Sequence, residues 1–314
     1  MPIKIPNDLP STELLLDEGV ALMREQDAVR QDIRPLQIAL LNLMPEKVKT
    51  ETQLIRQLGR TPLQIELTLL TTGSYEATNA PQGHMAAFYQ TWPEVKDRKF
   101  DGLVITGAPI ERLEFEDVKY WPEFAEILDW AAKNVHACYF LCWAGQAALH
   151  QYYGVPKYDL GYKLSGVFGH RRTTERHPLI AGFDDHFRVP VSRWTEVRHT
   201  DIDQHEALTV LAESDESGIC IVEDESQRRL FVFNHFEYDA GTLREEYQRD
   251  VKANGNDVVP PAHYFPADDP AQEPQNDWRS HAQLLYGNWI NEIYQSTPYD
   301  MSKIGTRKMP KSAS

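Results

Sequence analysis

Runs of apolar residues recur through the first half of the chain, and each is followed by a segment in which apolar residues have helical spacing. Such runs are typical of strands that helices cover on both faces, as in a parallel sheet. Strands are predicted at residues 36–44, 63–71, 100–107 and 135–141, and helices at residues 47–58, 83–91, 115–134 and from residue 143 onward. This alternation predicts an α/β fold with a doubly wound, mostly parallel sheet of the flavodoxin-like type.

The pattern becomes less regular after residue 154. Short strands are predicted at residues 187–193, 208–212, 218–222 and 229–233, and helices at residues 242–253 and 281–294. Residues 254–276 are rich in Pro, Asp and Asn and are expected to form a long surface excursion. Before the first strand, the polar start Ser11-Thr12-Glu13 predicts a helix over residues 11–31. No repeat or interdomain linker divides the chain, so we expect one domain.

The amino-acid composition argues against some classes of binding partner. Of the 314 residues, 41% are hydrophobic, which is enough for a substantial core. The formal net charge of −15 argues against a nucleic-acid or anionic-membrane surface, and an anionic cofactor would need a local basic pocket. Three cysteines form neither a disulfide framework nor a zinc pattern, so a reduced, cytoplasmic protein without a metal is expected. The N-terminus lacks a secretory pattern, and no apolar run reaches membrane-spanning length.

Cys142 falls on the turn between the predicted strand 135–141 and the helix that begins at Trp143. The free N–H groups and the dipole of a helix N-terminus stabilise a thiolate, and the same N–H groups can bind the oxyanion of a tetrahedral intermediate. Cys142 is therefore a candidate nucleophile. Taken alone, it fits better a buried cysteine that acts as a small hydrophobic residue.

His235 and Glu237 follow the end of the predicted strand 229–233. Because catalytic groups of α/β proteins collect at the carboxyl ends of strands, the two residues can meet Cys142 in one crevice. His235 would then accept the thiol proton, and Glu237 would orient the imidazole and stabilise its charged form. Taken alone, a histidine close to a glutamate is also expected by chance in a chain with 47 acidic residues.

Short stretches spread over nearly the whole chain carry a family resemblance. They are Leu41-Asn42-Leu43-Met44-Pro45, Gly107-Ala108-Pro109, Cys142-Trp143 with Gln146-Ala147, Gly166-Val167-Phe168, Ser192-Arg193 with Thr195-Glu196-Val197, and Arg279-Ser280-His281. In these residues the chain resembles the homoserine O-acyltransferases of the MetA type. The resemblance implies a class I glutamine amidotransferase-like fold, a cytoplasmic homodimer, and transfer of an acyl group from acyl-CoA to the hydroxyl of L-homoserine in methionine synthesis.

The resemblance also implies roles for particular residues. It makes Cys142 the acyl-thioester nucleophile, His235 the proton acceptor and Glu237 its partner. It makes Lys163, Ser192 and Arg249 substrate-binding residues, and backbone N–H groups at Trp143 and at Gly107-Ala108 are the expected oxyanion donors. Without the resemblance, Lys163 in a predicted loop and Arg249 on an exposed helix would be ordinary surface charges, and Ser192 an ordinary strand residue.

Glu111 stands at the position that accompanies acyl-donor preference in this family: glycine there accompanies succinyl transfer, and glutamate accompanies acetyl transfer. The physical reason is that two carboxylates 4 Å apart repel by roughly 4 kcal/mol at an effective dielectric constant near 20. Acetyl-CoA is therefore the predicted donor, as a co-substrate with no tightly bound cofactor. A solvated acid beside Arg112 is the ordinary interpretation of Glu111 alone.

We expect an N-terminal arm or helix over residues 1–35, an acyltransferase domain over residues 36–300 and a basic, flexible tail over residues 301–314. Other functions stay open at this point: a succinyl donor, serine as acceptor, hydrolysis of the glutamine amidotransferase type, or a catalytically silent binding module. Phe140 and Ala144 stand where amidotransferases frame the nucleophile with glycines, which argues against glutamine hydrolysis.

Overall fold

The computed structural model describes residues 3–5, 9–17, 22–24, 34–74, 82–255 and 258–305. The strands in these ranges are β1 (Ile3–Ile5), β2 (Leu22–Arg24), β3 (Leu36–Leu41), β4 (Ile65–Thr71), β5 (Tyr89–Thr91), β6 (Phe100–Ile105), β7 (Val135–Leu141), β8 (Tyr158–Arg172), β9 (His186–Glu196), β10 (Thr209–Ser214), β11 (Gly218–Asp224) and β12 (Arg229–Val232). The α-helices are α1 (Thr12–Asp17), α2 (Lys47–Leu58), α3 (Gln82–Phe88), α4 (Trp92–Val95), α5 (Trp121–Asn134), α6 (Trp143–Tyr153), α7 (His199–Ile202), α8 (Thr242–Asn254) and α9 (Arg279–Ser296). Short 3₁₀ segments lie at Phe115–Asp117, Pro178–Ile180, Pro266–Asp268 and Met301–Lys303.

One mixed sheet unites these strands. Its order is β2-β1-β4-β3-β6-β7-β12-β11-β10-β8-β9, with β5 beside β4. The pairs from β2 to β12 are parallel, and the pairs from β12 to β9 are antiparallel. The doubly wound, mostly parallel fold is confirmed. Because β7 and β12 are parallel neighbours, their carboxyl ends lie at the same edge of the sheet.

Both faces of the central sheet are covered, which explains the continuous apolar runs. In β3, Ile38 and Leu40 pack on one face in a core that includes residues of α2 and α9. Ala39 and Leu41 pack on the other face, in a core that includes residues of α5 and α6. Alternate side chains of a strand point to opposite faces, so a strand covered twice is apolar on both faces and its sequence is mostly apolar.

The predicted helix over residues 115–134 is wrong in its first part. A 3₁₀ segment occupies Phe115–Asp117, and the α-helix begins only at Trp121. Pro122 stands in the first turn of α5, where its missing N–H costs nothing because the first N–H groups of a helix have no partner within it. By contrast, the predicted helix 47–58 and the predicted strand 135–141 are confirmed at both ends.

The long helix predicted over residues 11–31 is also wrong. The structure has the short helix α1 and then the strand β2, which pairs in parallel with β1, while β1 pairs with β4. Residues 18–21 and 25–33 lie outside the described residues. Pairing at the sheet edge has outweighed local helical spacing here, and Leu15 of α1 is fully buried.

Other differences lie in the second half. The long strand β8 was not predicted, and it makes Lys163 a strand residue rather than a loop residue. Residues 254–276 do not form a purely superficial excursion, since Tyr264 and Phe265 are buried and Ala262 bridges to Gly166 of β8. In the predicted tail, Ile304 is buried, and residues 306–314 lie outside the described residues. In the part of the chain that the structure describes, no helix is both long enough and apolar enough to cross a bilayer.

Candidate active site

Cys142 occupies a strained turn between β7 and α6. Its φ of 52° and ψ of −117° lie outside the regions that non-glycine residues ordinarily adopt. The Cys142 N–H donates to the carbonyl of Val232 at 2.7 Å, so the end of β12 holds the turn. A strained strand-to-helix turn presents a nucleophile at the top of an α/β sheet, in front of the free N–H groups of the following helix.

Gly107 lies directly beside this turn. A Cβ at Gly107 would stand 3.1 Å from Cys142 Cβ and 3.6 Å from the Trp143 nitrogen, so any side chain there would crowd the nucleophile. Ala108 is buried next to it. The structure thus brings together the three residues that were expected to supply oxyanion donors, and their role stays a prediction.

His235 lies beside both the cysteine and Glu237. Its Nδ1 lies 2.8 Å from Glu237 Oε1, and Cys142 is close enough to raise the pKa of the imidazole. The His235 N–H donates to the carbonyl of Pro190 at 2.8 Å, and the ring stacks on Tyr238 with centroids 4.1 Å apart. These contacts fix both the backbone and the plane of the imidazole.

The catalytic candidates are almost completely buried. Cys142 is 4% exposed, His235 6% and Glu237 3%. Burial by itself lowers the pKa of His235, but the Glu237 carboxylate, the neighbouring Cys142 and the hydrogen bond to Glu237 raise that pKa well above its usual value. The imidazole is therefore adapted to take up and hold a proton.

Two of the predicted substrate-binding residues, Ser192 and Lys163, hydrogen-bond to Glu246. The sequence analysis did not identify Glu246. Ser192 Oγ donates to Glu246 Oε2 at 2.5 Å, and Lys163 Nζ donates to the same oxygen at 3.1 Å. Tyr238 donates its hydroxyl proton to Glu246 Oε1 at 2.7 Å. Burial raises the pKa of Glu246, but Lys163 and these hydrogen bonds outweigh it and lower the pKa overall. The only sequence signal for Glu246 is its place on α8, one turn before Arg249.

Arg249 lies at the rim of this group and not inside it. Its side chain is 65% exposed and pairs with Asp250 at 3.2 Å. Asp250 also accepts a hydrogen bond from Lys163 at 2.7 Å, so the two basic residues share one carboxylate. The structure therefore places Lys163 and Ser192 inside the site and Arg249 at its edge.

Glu111 faces the same crevice. Burial raises its pKa, and its own N–H together with the charges of His235 and Lys163 opposes the rise, which places both cations close to its carboxyl group. Lys157 anchors the segment by donating to the carbonyls of Glu111 and Leu113. The predicted donor-selecting residue thus lies beside the predicted catalytic and substrate residues.

A buried lysine, which the sequence analysis did not identify, lies against the turn after β3. Lys47 Nζ donates to the Asn42 carbonyl at 2.5 Å, and the Leu43 N–H donates to Thr106 Oγ1 at 2.7 Å. Burial lowers the pKa of Lys47 to about 8, with Glu51 opposing the shift. The turn after β3 is thereby fastened to the turn after β6. Among the described residues, no group of three or more His, Cys, Asp or Glu side chains is placed to hold a metal ion.

The fold is that of glutamine amidotransferase-like proteins of known structure. It matches a glutamine amidotransferase from Thermotoga maritima with a TM-score of 0.54 and 11% identity, over 84% of this chain and 100% of that chain. It matches the glutaminase domain of CTPS from Trypanosoma brucei with a TM-score of 0.51 and 10% identity, over 84% of this chain and 96% of that chain. At such identities the likeness concerns the fold alone.

Within this class, the chain belongs to the homoserine O-succinyltransferase family, whose model matches residues 2–299. Curated relatives have another acyl group in their names. A protein named homoserine O-acetyltransferase from Rhizobium johnstonii is 57% identical, over 98% of this chain and 99% of its own length. Proteins with the same name from Hyphomonas neptunium and Brucella canis are 54% and 55% identical, over 97% of this chain and 100% and 99% of their lengths.

Proposed function

We propose that this homoserine O-acyltransferase is an acetyltransferase, which moves the acetyl group of acetyl-CoA to the side-chain hydroxyl of L-homoserine and so serves methionine synthesis. The observation that carries the proposal is the proximity of Cys142 to His235, which in turn hydrogen-bonds to Glu237, at one edge of the sheet. The family and the names of the relatives support the choice of acceptor and donor. We also propose that the enzyme works in the cytoplasm as a homodimer.

The first half-reaction loads the cysteine. His235 accepts the proton of Cys142, and the sulfur attacks the thioester carbonyl carbon. The oxyanion that forms is stabilised by N–H groups at Trp143 and at Gly107-Ala108. When the intermediate collapses, the carbon–sulfur bond to CoA breaks, and the departing CoA thiolate takes the proton from His235. The product of this half-reaction is acetyl-Cys142, and no ATP is needed because a thioester is already an activated acyl group.

The second half-reaction transfers the acetyl group. The carboxylate of homoserine binds Arg249 and Lys163, as cations with several donors suit a carboxylate. We add Glu246 as the acceptor for the substrate ammonium, because it is a buried carboxylate between Ser192 and Lys163. His235 then removes the hydroxyl proton, the oxygen attacks acetyl-Cys142, and O-acetylhomoserine leaves as the sulfur recovers its proton. The cycle is ping-pong.

Glu111 supports acetyl over succinyl transfer. A succinyl group would bring a second carboxylate into the crevice that Glu111 already faces, and it would also need the space that the Glu111 side chain fills. Acetyl-CoA carries no such carboxylate.

Two measurements test the proposal. Initial rates for acetyl-CoA and succinyl-CoA, each with homoserine and with serine, identify the donor and the acceptor. Ammonia release from glutamine without CoA would instead favour a hydrolase of the amidotransferase type.

Intact mass spectrometry tests the intermediate. Enzyme mixed with acetyl-CoA in the absence of acceptor is expected to gain one acetyl group, and Cys142→Ala is expected not to. Cys138→Ala is the matched control, because burial raises the pKa of Cys138 to about 12 and keeps that thiol unreactive. An adduct that persists in Cys142→Ala would contradict the mechanism.

A further inference from the structure

A cavity of about 280 Å³, rich in arginine, adjoins residues 235–238, the segment that carries His235 and Glu237 and is called the catalytic segment below. Phe236 and Tyr238, which flank the proposed catalytic glutamate, form part of its wall. Arg56 and Arg60 reach it from the end of α2, and Arg279 reaches it from the start of α9. None of the roles proposed above uses these arginines.

The cavity has a net positive charge. Arg56 pairs with Asp239 at 2.7 Å, and Asp239 is the one acid among the described residues that line the cavity. Arg60 and Arg279 are exposed, and neither guanidinium forms an ion pair with a residue in the described ranges. Two guanidinium charges are therefore left uncompensated in a chain whose formal net charge is −15.

The other polar groups of the wall also suit an anionic ligand that carries hydrogen-bond donors. Arg279 is the first residue of α9, an 18-residue helix whose N-cap residue, Trp278, provides no side-chain cap. The first N–H groups of such a helix attract negative charge. Gln57 is only 6% exposed, and its Oε1 is buried without a hydrogen-bond partner in the described structure. A hydroxyl or amide N–H of a ligand would satisfy this oxygen.

We propose that this cavity binds a phosphate group, supplied by the acyl-CoA donor. The assignment to the donor rests on the proposed function: CoA is polyanionic, and an acidic chain can bind it only where the local charge is positive. The position fits, because Tyr238 lines the cavity and its ring lies 4.1 Å from that of His235. The phosphate would then bind on one side of the catalytic segment, and the flexible pantetheine arm would carry the thioester to Cys142.

The test compares acetyl-CoA with acetyl-pantetheine, which has the same thioester but no adenosine phosphates. Arg60→Ala and Arg279→Ala are each expected to lower kcat/KM for acetyl-CoA about 10-fold, the usual effect of losing one charge-assisted hydrogen bond, and to leave kcat/KM for acetyl-pantetheine unchanged. The inhibition constant of adenosine 3′,5′-bisphosphate against acetyl-CoA should rise by a similar factor. Arg176→Ala is the matched control, since Arg176 is exposed and does not line the cavity.

Three results would overturn the proposal. Equal losses with both donors would mean that the arginines support the catalytic segment itself. Unchanged kinetics with both donors in both variants would mean that the cavity binds nothing that matters for the reaction. The third result concerns added inorganic phosphate. If it changes the acetyl-pantetheine reaction of the wild-type protein but not of the arginine variants, and leaves the acetyl-CoA reaction unaffected, the site binds free phosphate and not the donor.

Failure of the proposed function is distinguishable from these results. In that case the wild-type protein transfers acetyl to homoserine from neither donor. If only the assignment of the phosphate site is wrong, the wild-type protein uses both donors, and each arginine variant changes kcat/KM for acetyl-CoA and for acetyl-pantetheine by the same factor.

Discussion

Replacing Glu111 by glycine is expected to move donor preference from acetyl-CoA toward succinyl-CoA. Two carboxylates at 4 Å repel by roughly 4 kcal/mol at an effective dielectric constant near 20. Lys163 and His235 face the Glu111 carboxyl group and offset part of this repulsion. We therefore expect about 2–3 kcal/mol, which is about a 100-fold change in the ratio of kcat/KM values for the two donors.

The assay is the ratio of kcat/KM for succinyl-CoA to that for acetyl-CoA, with homoserine as the acceptor. Glu111→Gln removes the charge and keeps most of the volume, so it separates repulsion from lack of space. Glu114→Gly is the matched control, because Glu114 is an exposed acid three positions further along. Since burial raises the pKa of Glu111, the wild-type preference for acetyl-CoA should also weaken as the pH falls and the carboxylate becomes neutral, and Glu111→Gln should abolish that pH dependence.

The outcomes distinguish charge from size. If Glu111→Gly alone raises the use of succinyl-CoA and Glu111→Gln does not, the residue selects the donor by its volume. If neither variant changes the donor ratio, the electrostatic reasoning is refuted.

Four further predictions follow from the geometry of the site and of the core. Cys142→Ala should lower acetyl transfer by about 10⁴-fold in a stopped-time assay, and near wild-type turnover would exclude a covalent intermediate. Glu237→Gln removes the charge that helps to raise the pKa of His235, so kcat should fall about 100-fold and the pH profile of kcat/KM should shift to lower pH; an unshifted profile would argue against the pairing. Gly107→Ala places a methyl group 3.1 Å from Cys142 Cβ, and kcat should fall about 10-fold with little change in Tm, whereas a large loss of Tm would indicate a mainly structural position. Burial lowers the pKa of His170 to about 4, below its unfolded value of 6.5, so the unfolded state binds the extra proton between these values. His170 should therefore contribute about 3 kcal/mol to the drop in the free energy of unfolding in urea as the pH falls through that window, and in His170→Gln the drop should be smaller by this amount.

The central fold and the meeting of the candidate residues Cys142 and His235 at one edge of the sheet follow from local chemistry and could be predicted. A strand covered by helices on both faces packs apolar residues on both, so β3, β6 and β7 are visible as mostly apolar runs in the sequence. Cys142 and His235 each follow the end of a strand, and parallel strands end at the same edge of a sheet. Cys142 and His235 therefore lie close together if β7 and β12 are neighbours in one sheet.

Contacts between segments that are distant in the sequence determined the features that could not be predicted. The edge strand β2 lies within the segment 11–31 that was predicted as a helix, because pairing with β1 stabilises an extended segment that its own sequence does not specify. Glu246 gains its importance from Ser192 and Lys163, which lie on other elements and far away in the sequence.

The sequence by itself therefore determined the α/β class, the parallel core and the strand-end cysteine and histidine, since each depends on neighbours only a few residues away. The tertiary structure alone decided the left-handed turn at Cys142, the charge cluster at Glu246 and the cavity between Arg60 and Arg279. Their physical cause is contact between distant segments, because burial and the proximity of charges depend on which surfaces the folded chain brings together.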